Sequence, residues 1–298
     1  MSSQQVFPEW LKVRLPGDGG QGPVRQVIRQ HNLRTVCRSA ACPNIGHCYG
    51  SGTATFLILG GVCTRACRFC AVPGGLLAAP DPEEPAQLTA AAKELGLRHV
   101  VITSVSRDDL PDGGAAHFAA CIRRLHAELP ELSVEVLVPD FQGCQAAAAQ
   151  VLYERPEVFN HNIETVPRLY PTVRPAADYR CSLAVLRQAA GHGGMIKSGL
   201  MVGLGESEEE VIAVLHDLWA AGVTMLTIGQ YLRPSASHMA VAKFVHPDQF
   251  ANYAALAERI GFTQVASGPL VRSSYQAAEF WTAAKTNAGR LQSCSKDY

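Results

Sequence analysis

Three cysteines, Cys63, Cys67 and Cys70, stand in a C-x3-C-x2-C pattern within Gly60-Gly61-Val62-Cys63-Thr64-Arg65-Ala66-Cys67-Arg68-Phe69-Cys70. Three thiolates on one tight loop can hold three irons of a [4Fe-4S] cube and leave the fourth iron without a protein ligand. An open iron is what a cluster needs if it is to bind a small molecule and pass it an electron. Two other uses of the same residues stay open at this point: a zinc site, or a closed cluster used only for electron transfer. Zinc sites more often pair C-x2-C units with a matching second pair, and a closed cluster wants a fourth cysteine nearby. Spacing and loop context together favour the open cluster.

A second triplet lies just upstream, in Cys37-Arg38-Ser39-Ala40-Ala41-Cys42-Pro43-Asn44-Ile45-Gly46-His47-Cys48, with C-x4-C-x5-C spacing. Its proline and glycine suit a loop folded around a metal, so the chain reads as a holder of two clusters. The alternative is a zinc-bound structural knuckle that recruits His47. Six of the ten cysteines fall between residues 37 and 70. Such crowding in a chain of this size points to metal rather than disulfides. Cys121, Cys144, Cys181 and Cys294 are scattered and read as core or surface thiols without a role.

These loops need a frame. At 298 residues, 47% hydrophobic and 17% charged, the chain can bury a large core and is not of disordered composition. Lys+Arg and Asp+Glu both number 26, so no global basic field suggests nucleic acid as a partner. No apolar run approaches the roughly 20 residues of a membrane span, and Met1-Ser2-Ser3-Gln4-Gln5 lacks a signal pattern. The expectation is a cytoplasmic protein with neither membrane nor nucleic acid among its partners.

Residues 1–36 are broken by Pro8, Pro16 and Gly17 through Gly20, with one short helical stretch near Val24–His31, and read as an extension wrapped on the main body. From residue 53 short apolar runs alternate with helical periodicity. Strands are expected at Thr53–Gly60, His99–Val105, Val134–Pro139, Val158–Ile163, Ile196–Gly203 and Thr224–Tyr231. Helices are expected near Ala86–Leu95, Ala115–Leu129, Gln145–Leu152, Tyr179–Ala190 and Glu208–Ala221. Near-continuous apolar strands imply burial on both faces and hence a parallel sheet covered by helices. The fold class is α/β, a partial (β/α)6 TIM-like barrel with N- and C-terminal extensions; an open doubly wound sheet fits the pattern too. The expected division is an extension with the second triplet (1–50), the barrel (51–265) and a C-terminal extension (266–298).

In barrels chemistry gathers at the C-terminal ends of the strands, and here those ends are polar. They carry Thr103-Ser104 with Arg107-Asp108-Asp109, then Asn160-His161-Asn162-Ile163-Glu164, Lys197 to Glu206, and Gln230-Tyr231-Leu232-Arg233-Pro234. Taken singly, Arg107 and Asp108 could form a surface turn, and Glu206 to Glu210 a solvated helix start. Gly203-x-Gly205 lacks the third glycine of a dinucleotide fingerprint.

The cysteine spacing, with aromatic Phe69 before the last cysteine, resembles the radical S-adenosylmethionine superfamily. Over nearly the whole chain the sequence resembles the lipoyl synthase family. The likeness rests on both triplets, Val101-Ile102-Thr103-Ser104-Val105, Arg107 to Ala115, Phe159 to Val166, Ser198 to Glu206, Thr227 to Leu232 and Gly268 to Tyr275, which includes Arg272-Ser273-Ser274-Tyr275. It departs at Ser106, Ile196 and Gln276, where that family usually has Asp, Thr and His, and in running on to Cys294.

The resemblance implies two [4Fe-4S] clusters and S-adenosylmethionine as cofactors, and insertion of two sulfurs at carbons 6 and 8 of a protein-bound octanoyl-lysine. Cys63, Cys67 and Cys70 would hold the cluster whose open iron chelates S-adenosylmethionine and whose electron yields a 5'-deoxyadenosyl radical. Cys37, Cys42 and Cys48 would hold a sacrificial auxiliary cluster, with Ser274 as fourth ligand and Ser273 as the near alternative. S-adenosylmethionine contacts are assigned to Phe69, to Thr103 and Ser104 at its amino-acid end, and to Asn162 and Glu164 at the ribose. Arg174 could pair with a carboxylate on the cofactor or the lysyl substrate, or lie on the surface. The implied partners are an octanoylated lipoyl carrier domain, of a 2-oxoacid dehydrogenase or glycine cleavage H protein, and an electron donor such as flavodoxin or ferredoxin. Two rivals are another sulfur inserter of the superfamily, biotin-synthase-like or methylthiolating, and a non-enzymatic iron–sulfur or zinc scaffold. The position of the second triplet and the C-terminal serines speak against the first, and the polar strand ends against the second.

Overall fold

The computed structural model describes residues 7–12, 22–40, 42–50 and 54–294. The glycines at 17–20, Ala41, Thr53 and the Cys294 side chain lie outside the described residues. Seven strands, β1 (Thr55–Ile58), β2 (His99–Ser104), β3 (Ser133–Leu137), β4 (Val158–Asn160), β5 (Met195–Val202), β6 (Met225–Gln230) and β7 (Gln264–Gly268), form one parallel sheet in sequence order. That order separates the two architectures compatible with the sequence. A doubly wound sheet reverses its strand order at a switch point. A sequential order keeps the crossover helices on one face and curls the sheet around the other, which gives a partial barrel.

The crossovers are α4 (Glu84–Glu94), α5 (Ala115–Glu128), α6 (Gln145–Tyr153), α8 (Tyr179–Gly191), α9 (Glu208–Ala220) and α10 (Pro247–Ile260), with the short α7 (Tyr170–Val173) before α8. Five of them match the expected helices within two residues at each end; α10 and β7 add a unit that the sequence reading did not identify. β7 is half-buried throughout and carries Gln264, Ser267 and Gly268, so it lacks the apolar run that betrays an inner strand. The acidic start of α9 is the solvated helix cap its sequence suggests: Ser207 and Glu210 exchange side-chain and backbone hydrogen bonds in a capping box.

One contiguous core runs from Val24 to Phe262. The N-terminal helix α1 (Gly22–Gln30) buries Val24, Val27 and Ile28 in it. The chain then crosses the free edge of β1, where Thr35 bridges Phe56 and the Leu57 amide donates to the Arg34 carbonyl. Two short helices, α2 (Val36–Ser39) and α3 (Ile45–Gly50), follow and carry the second cysteine triplet. At the opposite end of the barrel, the C-terminal helix α11 (Ala277–Cys294) seats Phe280 and Ala284 against Val158 and Met225, at the starts of β4 and β6. Above it, inside the barrel, Lys197 donates to buried Glu135 at 2.8 Å and lies 5.1 Å from the Phe280 ring.

Candidate active site

The chain leaves β1 through Leu59 and Gly60, both at positive φ (66° and 97°), and so turns sharply into the first cysteine loop. Backbone bonds pin that loop from three sides. The Cys63 amide donates to Pro73, Thr64 to Ser106, and Arg68 to Val173, while the Met239 amide donates to the Arg68 carbonyl. His238 Nε2 lies 3.0 Å from the Cys70 carbonyl. Cys63 Sγ accepts from the amides of Arg65 and Ser106 at 3.4 and 3.3 Å.

Arg65, between two of the cysteines, clamps the loop downward. Its guanidinium makes two pairs of bonds: Nε and Nη2 to Asp108 at 2.7 and 2.9 Å, Nη1 and Nη2 to Asp140 at 2.7 and 2.6 Å. Such forked ion pairs fix orientation as well as distance. Arg107 likewise grips Asp109 with two bonds and reaches the Leu59 carbonyl from a buried position. The surface-turn reading of Arg107 and Asp108 is thereby corrected: both hold the cluster loop, Arg107 through Leu59 and Asp108 through Arg65. Asp140, after β3, is a site residue that sequence reasoning missed, because a lone acid after a strand carries no motif.

Burial pushes the Cys70 thiol up to about 11, with Cys67 and Cys63 adding to the rise. Burial also raises Cys67, against the opposing charge of Arg174. The three sulfurs therefore feel one another, and a cluster must displace their protons to bind. Phe69 is half-buried against the core.

The strand ends beneath this loop, and Arg174 after α7, carry buried polar atoms without a hydrogen-bond partner among the described residues: Ser104 Oγ, His161 Nε2, Asn162 Oδ1 and Arg174 Nε. Buried polar groups are normally satisfied, so a set of orphans around one loop marks where a polar ligand belongs. Thr103 differs, since its hydroxyl donates to the Leu137 carbonyl at 3.0 Å. Asn162 Nδ2 donates to Glu164 at 3.2 Å and to Ser273 Oγ at 2.8 Å. Glu164 sits at φ 67°, a strained value for a side-chain-bearing residue, and its amide and carbonyl continue the ladder to Gly199 and Met201 of β5. Burial raises its carboxyl, against the charge of Arg174. Gly199 is required here, because a Cβ would stand 2.4 Å from Thr227 Oγ1 and 3.0 Å from Asn162 Oδ1.

Arg174 is buried, not a surface residue. Nη1 donates to the Asn162 carbonyl at 3.2 Å and to Tyr170 Oη at 3.0 Å, and the guanidinium lies 5.3 Å from the Tyr170 ring. His161 accompanies it: Nδ1 lies 2.8 Å from the Val138 carbonyl, and burial lowers the ring's pKa to about 4, with Arg174 pushing the same way. The imidazole is therefore neutral, with Nε2 an available acceptor.

The second triplet lines a separate small pocket, Cys37, Cys42 and Cys48 standing there together with Asn44, Arg272, Ser274 and Tyr275. Asn44 Nδ2 donates to the Leu270 carbonyl at 2.7 Å and so ties the triplet to the C-terminal motif. Gly229 at the end of β6 lets that motif pass, since a Cβ there would lie 2.2 Å from the Val271 carbonyl oxygen. The two adjacent serines part company. Ser274 faces the three cysteines, whereas Ser273 accepts from Asn162 on the strand-end side. His47 is not in the lining; its ring packs on Tyr275, with 5.7 Å between centroids. Burial pushes the Cys48 thiol up to about 12, with Cys37, Cys42 and Glu279 adding to it.

Among the described residues no three His, Cys, Asp or Glu side chains are gathered to hold one metal ion. A single zinc draws its thiolates to about 2.3 Å from one centre. A cube instead spreads its ligands over different irons. Three thiols and a hydroxyl on one cavity thus fit a cluster, and the orphaned atoms below the first loop fit a polar cofactor.

Among solved structures, HydG, a maturase of the [FeFe]-hydrogenase, shares the fold with a TM-score of 0.56 at 15% identity, over 70% of this chain and 50% of that one. Methylornithine synthase does so with a TM-score of 0.51 at 16% identity, over 78% and 68%. The radical SAM superfamily model matches residues 57–218. A protein of Chlorobium limicola named lipoyl synthase is 53% identical over 279 residues, covering 93% of this chain and 96% of its own. One of Rubrobacter xylanophilus with the same name is 54% identical over 274 residues, covering 91% and 85%. The chain belongs to the lipoyl synthase family. It is accordingly a radical SAM sulfur-inserting enzyme that uses S-adenosylmethionine and two [4Fe-4S] clusters.

Against the lipoyl synthase family, the departures seen in the sequence are benign in place. Ser106 acts through its backbone, the amide on Cys63 Sγ and the carbonyl on Thr64; Ile196 is core and Gln276 is exposed. Cys121 is buried in the core, Cys144 is exposed, and Cys181 is half-buried with its Sγ 4.0 Å from the Asp140 carbonyl. Among the described residues no helix is long and apolar enough to cross a membrane.

Proposed function

We propose that the two triplets divide the work of this lipoyl synthase family member. Cys63, Cys67 and Cys70 hold the cluster that engages S-adenosylmethionine, and Cys37, Cys42, Cys48 and Ser274 hold the auxiliary cluster. The chemistry supplied when these groups are bound is reductive cleavage to a 5'-deoxyadenosyl radical at the first and donation of sulfur to carbons 6 and 8 of an octanoyl-lysine at the second. The observation that carries this division is the opposite facing of Ser273 and Ser274, which puts one hydroxyl with three thiols and leaves the other at the strand ends.

The remaining residues position and shield. Arg174 offers its Nε, and Ser104 its hydroxyl, to the carboxylate and amino end of the cofactor. Asn162 and Glu164 face the ribose hydroxyls, and neutral His161 accepts from a donor of the same ligand. Thr103 acts on Ser104 through the backbone rather than by direct contact, because its hydroxyl is committed to Leu137. Phe69 walls the loop against water. Oxygen is a harder partner for a sulfide-bridged iron than thiolate, so Ser274 would be the weakest of the four ligands of the auxiliary cluster. No general base is needed, since the hydrogens leave as atoms.

The acyl chain reaches the site on a lipoyl carrier domain, of a 2-oxoacid dehydrogenase or glycine cleavage H protein, with flavodoxin or ferredoxin as electron donor in the cytoplasm. Functionally, the described residues of α2 and α3 and the segment that follows β7 form the auxiliary-cluster module on the seven-stranded barrel. Anaerobic reconstitution, reduction in the presence of S-adenosylmethionine and an octanoyl-lysyl peptide, and mass spectrometry test the reading. 5'-Deoxyadenosine together with a peptide carrying two sulfurs is expected. Cleavage with no sulfur transfer rejects the substrate, and no cleavage at full iron load rejects the enzyme.

A further inference from the structure

The four segments that enclose both triplets, residues 34–48, 61–73, 231–246 and 269–276, contain no Asp or Glu and seven Lys or Arg, in a chain whose charges otherwise balance. They meet around one mouth. The Arg34 guanidinium lies against Gly61 of the first loop. Met239 bonds the carbonyl of Arg68, and His238 bonds that of Cys70. Arg233 in turn holds the Ala236 and His238 carbonyls. Arg34, Arg38, Arg68 and Arg233 are all exposed. The arginine ion pairs among the described residues belong to Arg65, Arg107, Arg123, Arg124 and Arg168, and involve none of these four.

Of the acids beside these segments, Asp108 and Asp140 are engaged by Arg65, Asp109 by Arg107, and Glu206 by the Gly203 and Leu204 amides, while exposed Asp248 faces His246 at 3.2 Å. Exposed Glu279, close enough to Cys48 to raise it, is outnumbered. On the loop after Cys70, Leu76 is 96% exposed and follows Gly75, which lies against Val62 of the first cysteine loop. Exposed arginines without an acid partner among the described residues, with an exposed leucine on the neighbouring loop, suit a protein with an acidic face.

We propose that this cationic rim docks an acidic protein domain that presents the acyl-lysine, with Leu76 as an apolar contact beside it. The inference rests on the assigned reaction. The rim extends beside the second triplet, through Arg34 and Arg38, as well as the first. An electron donor needs to approach only the first cluster, whereas a carrier must straddle both to deliver one arm between them. Long-range attraction between exposed charges is screened by salt, with a Debye length of about 10 Å at 0.1 M.

The test compares two substrates of the reconstituted holoenzyme with dithionite as reductant: an octanoylated lipoyl domain of a 2-oxoacid dehydrogenase, and an octanoyl-lysyl peptide too small to touch the rim. In the Arg34→Glu/Arg38→Glu variant, KM for the domain should rise about tenfold while kcat/KM for the peptide stays within about twofold. Raising salt on the native enzyme should reproduce the same split without any substitution. An unchanged KM for the domain, or an equal loss on domain and peptide, overturns the proposal. So does a loss confined to flavodoxin-driven cleavage of S-adenosylmethionine in the absence of the domain, which would make the rim the donor's. If the native enzyme transfers sulfur to neither substrate, the assigned reaction itself fails and the inference falls with it.

Discussion

Arg65→Lys probes the clamp beneath the first cysteine loop. The substitution keeps the charge but replaces a planar five-donor fork with a single rotating ammonium, which cannot serve two carboxylates in the same geometry. Arg65 makes four bonds of 2.6 to 2.9 Å. Its side chain and that of Asp140 are 4% and 2% exposed, while Asp108 is 27% exposed. A hydrogen bond to a charged group nets about 1.5–3 kcal/mol, and breaking a buried pair outright costs about 3–5 kcal/mol. The contacts to Asp108 count for less because solvent screens them. With the buried half partly lost, we expect the apoprotein to lose about 2–4 kcal/mol, a fall in Tm of about 4–8 °C.

The loss should depend on pH in one direction. Burial alone would raise the Asp140 carboxyl, but the Arg65 hydrogen bonds and charge outweigh it and hold the group below its usual value. A depressed folded pKa gives stability that is full above the unfolded value of about 3.9 and is lost as pH falls through the folded value. The gap between native and variant should thus be constant at neutral pH and close below about pH 4. Urea unfolding of the apoprotein across that range measures it. A neutral-pH difference below about 0.5 kcal/mol, the level of an ordinary surface change, would refute the clamp.

Three further outcomes follow from the same geometry. Ser274→Ala should lower iron content at the second triplet and abolish sulfur transfer while S-adenosylmethionine cleavage persists; Ser273→Ala should retain the iron, as counted by iron assay and Mössbauer spectroscopy. Because burial holds the Cys70 and Cys48 thiols up to about 11 and about 12, they are protonated at neutral pH, so cluster assembly should speed up from pH 6.5 to 8.5; a flat anaerobic reconstitution profile opposes this. Gly229→Ala places a Cβ 2.2 Å from the Val271 carbonyl oxygen and should displace the C-terminal motif, costing about 1–3 kcal/mol and the second cluster's absorbance but not the first's.

Six strands were legible to within a few residues because each inner strand of a parallel barrel is buried on both faces and reads as an unbroken apolar run. β7 was not, since half-buried Gln264, Ser267 and Gly268 break that run. Both cysteine triplets were visible from spacing alone, since each lies on one short stretch of chain. The Arg65–Asp108–Asp140 clamp was hidden, because Asp140 lies 75 residues from Arg65 in sequence. Arg174 could be read as surface or site, and only its burial between Tyr170 and Asn162 chose.

What the sequence by itself determined are the local things: which residues carry thiols, where strands alternate with helices, and which family the motifs resemble. Which of two neighbouring serines faces the cysteines is a different matter. Successive residues on an irregular turn have no periodicity to say where they point. The direction came from contacts made at long range, Asn162 reaching Ser273 across 111 residues and Asn44 reaching Leu270 across 226. Tertiary structure decided the second site for that reason: Arg272, Ser274 and Tyr275 of its lining come from the far end of the chain, and only the closing of the sheet brings the two ends together.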